Sequence, residues 1–100
     1  MLAGDRSQAD HIIGFLAQQA VEKALKAVLA HSALEIPRTH DLAYLASLLP
    51  ERDSAPSDIR WLTPWAVTWR YDDRVEGLDR SRAIESASSA VMWARGIIAP

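Results

Sequence analysis

"IIGFLAQQAVEKALKAVLAHS", residues 12–32, contains no proline and repeats its apolar residues on a helical period. Ile13, Leu16, Ala20, Ala24 and Val28 follow i, i+3, i+4 spacing, and Ile12, Phe15, Leu25 and Leu29 widen that stripe beyond one face. Ser7, followed three residues later by Asp10, resembles a capping box, so the spacing predicts one long helix from Ser7 to about Ser32. A helix with so broad an apolar surface is expected to lie between neighbours. Its polar residues Gln19, Glu22, Lys23 and Lys26 fall along one stripe, and Glu22 stands four residues before Lys26, the order that adds about 0.2–0.5 kcal/mol to a helix. That stripe reads either as a solvated face or as a polar seam against another helix or subunit, where its charges would need partners.

Working outward, "SALEIPR" (32–38) ends this helix, because Pro37 biases Ile36 away from helical dihedrals. Thr39 is then the expected N-cap of a second helix, with Asp41 placing negative charge at its positive end. Leu42, Leu45, Ala46 and Leu49 supply the buried stripe before Pro50. "PERDSAPSD" (50–58) reads as a surface loop. In the apolar stretch beyond it Pro64 interrupts the pattern, so Thr63 is expected to cap a fresh helix with Pro64 at its first position, ending near Arg70 and Tyr71. The acidic "DDRVEGLD" (72–79) precedes a last helix from Ser81 to Ile98, where Ile84, Ala87, Val91 and Ala94 share one side and a run of small residues permits close helix approach. No strand-like alternation and no internal repeat is present. The expected architecture is all-α: one domain over residues 1–100, an antiparallel up-and-down bundle of about four helices.

The composition narrows the functions available. The 100 residues contain no cysteine, which removes disulfides, thiolate nucleophiles and cysteine-rich zinc sites together. A formal charge of -2 argues against a broad electrostatic nucleic-acid surface and leaves room for a local basic patch. No apolar run reaches membrane-spanning length, and the N-terminus lacks the order of a signal peptide, so a cytoplasmic protein is expected. His11, His31 and His40 lack metal-ligand spacing, and neither a serine nucleophile elbow nor a phosphate-binding glycine loop is present; no metal and no cofactor is expected. Trp61, Trp65 and Trp69 recur every fourth residue. Packing in a core or dimer interface accounts for them, and a base-stacking platform beside Arg60 and Arg70 is the alternative. His40, just before the second helix, has either a structural hydrogen bond or an acid–base role.

Three segments in series, "FLAQQAVEKALKAVL" (15–29), "PRTHDLAYLASLL" (37–49) and "LTPWAVTWRYDD" (62–73), resemble the HEPN domain family over most of the chain. The resemblance implies a helical bundle, commonly a homodimer, often working beside a minimal nucleotidyltransferase and grouped with toxin–antitoxin modules. With nucleotide or RNA as the ligand, Gln19, Glu22, Lys23, Arg70 and Tyr71 are the binding candidates and converge with His40 into one polar site if the bundle brings those helix ends together; the alternative is a buried hydrogen-bond network of the same residues that fixes helix register. Some members are metal-independent ribonucleases whose activity goes with an Arg followed after four to six residues by a His. Counted from Arg70, the positions for that histidine hold Val75, Glu76 and Gly77, so the usual pair is absent there, and a ribonuclease of this chain would have to use Arg70 with His40. Arg6 and His11 have the spacing but lie in the wrong element. Related domains also carry a helix ahead of the one that holds "QQAVEK", and only Met1 to Arg6 precede it here. A second copy is therefore expected to cover the flank around Ile12, Phe15 and Leu16.

Overall fold

The computed structural model describes residues 3–66 and 77–99, with side chains from residue 8 onward. Helix α1 spans Ala3–His31, α2 spans Leu42–Ser47, and α3 spans Arg80–Ile98. Two 3-10 segments, Glu51–Asp53 and Arg60–Ala66, lie between α2 and α3, and no strand occurs among the described residues. The 29 residues of α1 reach about 43 Å at 1.5 Å per residue, close to the longest dimension of the molecule, 47 Å. Helices α2 and α3 and the second 3-10 segment pack along this one rod.

Contacts at successive levels of α1 give the path of the chain. Gln18 donates to the carbonyl of His40, so the start of α2 sits beside the middle of α1. Trp65 lies against Gly14, a turn lower. Lower still, Asp10 accepts from the backbone N–H of Leu78 at 3.3 Å and from Arg80 Nε at 2.6 Å, which holds the first turn of α3. From His40 to Trp65 the chain thus descends along α1, and α3, which begins beside Asp10, climbs it again. Successive passes alternate in direction, as an up-and-down bundle requires.

Val21, Leu25, Val28 and Leu29 of α1, Leu42 and Leu45 of α2, and Ile59 and Leu62 around the second 3-10 segment are fully buried. The contribution of α3 is small residues: Ala83, Ser86, Ala90 and Ala94 line its buried face, with Ala87, Trp93 and Ile97 partly buried beside them. Ile84 and Val91, expected inside, are exposed. The buried stripe follows the side chains that let two helices approach, and the larger apolar residues are displaced outward by roughly one position.

Three end signals also differ from expectation. Helix α1 begins at Ala3, and Asp10 clamps α3 instead of closing a capping box with Ser7. The N-cap of α2 is Asp41, which accepts from Tyr44 N, while Thr39 Oγ1 accepts from Asp41 N. The Thr63 hydroxyl accepts from Leu42 N, and Pro64 sits within the 3-10 segment, while the helix end expected near Arg70 and Tyr71 lies outside the described residues. At about three residues per turn, that segment points residues four apart roughly 120° from each other. Trp61 accordingly turns to α3, where its indole donates to Ser86 Oγ at 3.0 Å and Arg82 lies 4.4 Å over its ring. Trp65 turns to α1, against Gly14 and 5.5 Å from the His11 ring. A platform of stacked indoles is not formed by these two, and Trp69 lies outside the described residues.

A Cβ on Gly14 would stand 2.5 Å from Trp65 Cε3 and 2.6 Å from Cδ2, which only displacement of the indole could relieve. Helix propensity favours Gly14→Ala by about 1 kcal/mol, and overpacking opposes it by about 1–3 kcal/mol. The expected outcome is a lower urea midpoint for Gly14→Ala, and no such loss when the same change is made in a Trp65→Leu background.

Candidate functional site

Three side chains on α1 at four-residue intervals, Gln18, Glu22 and Lys26, lie one above another on a single face. The carboxylate in the middle is buried, its side chain only 2% exposed. A buried charge demands partners, and Glu22 has three. Gln18 Nε2 donates to Oε1 at 3.1 Å, His40 Nδ1 lies 2.8 Å from the same oxygen, and Lys26 Nζ donates to Oε2 at 2.9 Å. Burial by itself pushes the Glu22 carboxyl upward, but the hydrogen bonds from Lys26, His40 and Gln18, together with the Lys26 charge, outweigh it and hold the pKa at about 2. Glu22 is therefore ionised throughout the physiological range.

His40 comes to this carboxylate from the loop before α2, and its position is fixed from both ends. Its carbonyl accepts from Gln18 Nε2 at 3.1 Å and its ring meets Glu22. The turn that follows is closed by Thr39 and Asp41, so the imidazole stands on a short, tied segment. The His40 side chain nevertheless remains 64% exposed. The result is a carboxylate–imidazole pair with the carboxylate inside and one edge of the imidazole in solvent, an arrangement suited to acid–base exchange or to holding an anion.

Of the residues singled out from sequence, Glu22 and His40 are in direct contact. Gln19 joins them through Gln18, its Nε2 donating to Gln18 Oε1 at 2.8 Å. Lys23 is exposed and stands away from the pair. Arg70 and Tyr71 lie outside the described residues. Gln18, fully buried and bonded to three residues, was not among the sequence candidates. The signal was its position four residues before Glu22, which Gln19 obscured by looking equally polar. Among the described residues no group of three His, Cys, Asp or Glu could hold a metal ion. No helix is long and apolar enough to cross a membrane, again among the described residues.

An all-helical bundle whose longest helix carries an internal polar cluster answering to a histidine ahead of the next helix is the class of protein defined here. The family model described as "HEPN domain" matches residues 7–99, and the chain belongs to that family. No curated protein and no solved structure matches it.

Removing the carboxylate strands the donors of Gln18 and Lys26. Glu22→Ala is expected to cost about 2 kcal/mol in urea denaturation, between the values for fully buried and exposed ion pairs. The Glu22 carboxyl titrates below its ordinary value of 4.5, so its contribution to stability is complete above that pH and falls away as the pH drops toward 2. Wild type should lose more stability than Glu22→Gln across this interval, and equal losses would show that the carboxylate is not held as described.

Proposed function

We propose that this HEPN protein is the homodimeric helical partner of a minimal nucleotidyltransferase in a cytoplasmic module of the toxin–antitoxin kind, and that it binds nucleotide or RNA around His40. The observation that carries the ligand half of this reading is the buried Glu22 presenting an exposed imidazole. Half-buried Lys26 bonds the far oxygen of the same carboxylate, and exposed Arg38 lies two residues from His40. An anchored imidazole with cationic side chains nearby in the helix and in the loop is what a phosphate-bearing ligand needs. In this reading Gln19 and Glu22 orient the pair, Lys23 contributes charge at the rim, Arg70 supplies a bidentate fork to phosphate, and Tyr71 hydrogen-bonds or stacks.

Support for the homodimer comes from α1. Ile12 and Leu16, 56% and 59% exposed, lie on the side of the helix turned away from its core face. A second copy covering that flank would remove both from water.

A second reading, a metal-independent ribonuclease using Arg70 and His40, is favoured by one specific observation: His40 is backed by a carboxylate and open to solvent, as a general base must be. Labelled RNA mixed with the protein in chelator separates the readings. The binding partner is expected to retain RNA without cutting it, with affinity lowered about tenfold or more in Arg70→Ala and His40→Ala. Cleavage by wild type and by neither folded variant would establish the ribonuclease. Absence of both binding and cleavage would remove RNA from the reading altogether.

A further inference from the structure

The bond between His40 and Glu22 settles which ring nitrogen carries hydrogen. Glu22 accepts from Gln18 and Lys26 and is ionised, so it has no proton to give. The imidazole nitrogen 2.8 Å away must then be the donor, and Nδ1 keeps its hydrogen in the neutral ring as well as in the cation. A neutral imidazole has one N–H, so Nε2 is left with a lone pair. With Nδ1 spent on a buried carboxylate and the side chain 64% exposed, the edge turned to solvent is the one that carries Nε2. Gln18 holds the arrangement from the other side through the His40 carbonyl.

We infer that Glu22 is a positioning residue that makes His40 Nε2 the proton acceptor of the candidate site, so that a phosphodiester docking on this nitrogen binds together with one proton. The inference deepens the phosphate-ligand reading and rests on it. A phosphodiester oxygen finds no donor in a lone pair. The ring must first take a proton from solvent at Nε2, which then donates to the oxygen, while Nδ1–H stays on Glu22 and stabilises the imidazolium. Among the described residues, the charged groups at the ring are Glu22 and, through it, Lys26 from α1, with Arg38 and Asp41 flanking His40 in its own loop. The same lone pair would accept a ribose hydroxyl proton if the protein cleaves RNA.

Two readouts test this separately. Nitrogen-15 spectra of the imidazole rings, recorded where His40 is neutral, should find the Nδ1–H tautomer in wild type and a shift toward Nε2–H in Glu22→Ala. An Nε2–H ring in wild type would overturn the inference without reference to any ligand. Binding of a short oligouridylate, whose groups do not titrate near neutrality, should strengthen as the pH is lowered, by up to about tenfold per pH unit for one proton taken up. His40→Asn, which can still donate to Glu22, should lose this dependence. A wild-type affinity flat with pH, beside a confirmed Nδ1–H ring, would overturn the proton-linked docking. No binding at any pH would overturn that docking and the phosphate reading together, while the Nδ1–H spectrum would still uphold Glu22 as the residue that positions His40.

Discussion

A carboxylate buried in the middle of a helix is costly unless donors surround it, and Glu22 in α1 organises its surroundings by that demand. Two of its donors, Gln18 and Lys26, come from the same helix because four-residue spacing places them directly below and above. The third cannot come from α1. It arrives with His40 and fixes the loop before α2 at the height of Gln18 and Glu22. From there the register of the descending chain follows: Leu42 enters the core, its backbone N–H is received by Thr63, and the second 3-10 segment meets α1 below, with Trp65 against Gly14. A helix as short as α2, six residues, has little stability of its own, and its Asp41 cap and the anchoring of His40 compensate.

The other long contact is built on the opposite principle. Where α1 packs on α3, the residues that α3 buries are small, Ala83, Ser86, Ala90 and Ala94, and Ala17 and Ala24 are buried on α1. Dispersion contacts between closely spaced backbones take the place of large interlocking residues. Such a contact is weakly directional, and polar bonds at its edges supply the missing specificity. Asp10 sets the start of α3, and Ser86, donating to the Asp58 carbonyl and accepting from Trp61, sets its rotation.

The helices were legible because their period is a property of local sequence, and the errors came where tertiary contact chose between local equals. Thr39 and Asp41 are both competent caps, and the chain uses the hydroxyl to close a turn and the carboxylate to cap. Ile84 and Val91 have the hydrophobicity of core residues, but packing distance favoured alanine. Pro64 announced an interruption without saying that the segment would tighten into a 3-10 helix, and that tightening is what parts Trp61 from Trp65. Within the candidate site, Glu22 and His40 could be named from sequence. Their contact could not, because it joins residues eighteen positions apart across a loop.

The motif "QQAVEK" also divides in a way that its polarity hides. At about 100° per residue, Gln18 and Glu22 occupy one stripe, and Gln19 and Lys23 another, rotated by one position. Burial follows that division: Gln18 and Glu22 are enclosed, Gln19 is half-buried and Lys23 is exposed. Lys23 stands seven residues after Leu16, nearly two full turns, and so belongs to the same outward flank as Ile12 and Leu16 rather than to the Glu22 cluster. One short motif thereby serves two surfaces. Its inner pair holds His40 and the loop before α2, while its outer pair borders the apolar flank that a second subunit would cover. The hydrogen bond from Gln19 to Gln18 is the direct link between those surfaces within the motif, so a contact made on the outer stripe would reach the His40 carbonyl through two side-chain amides.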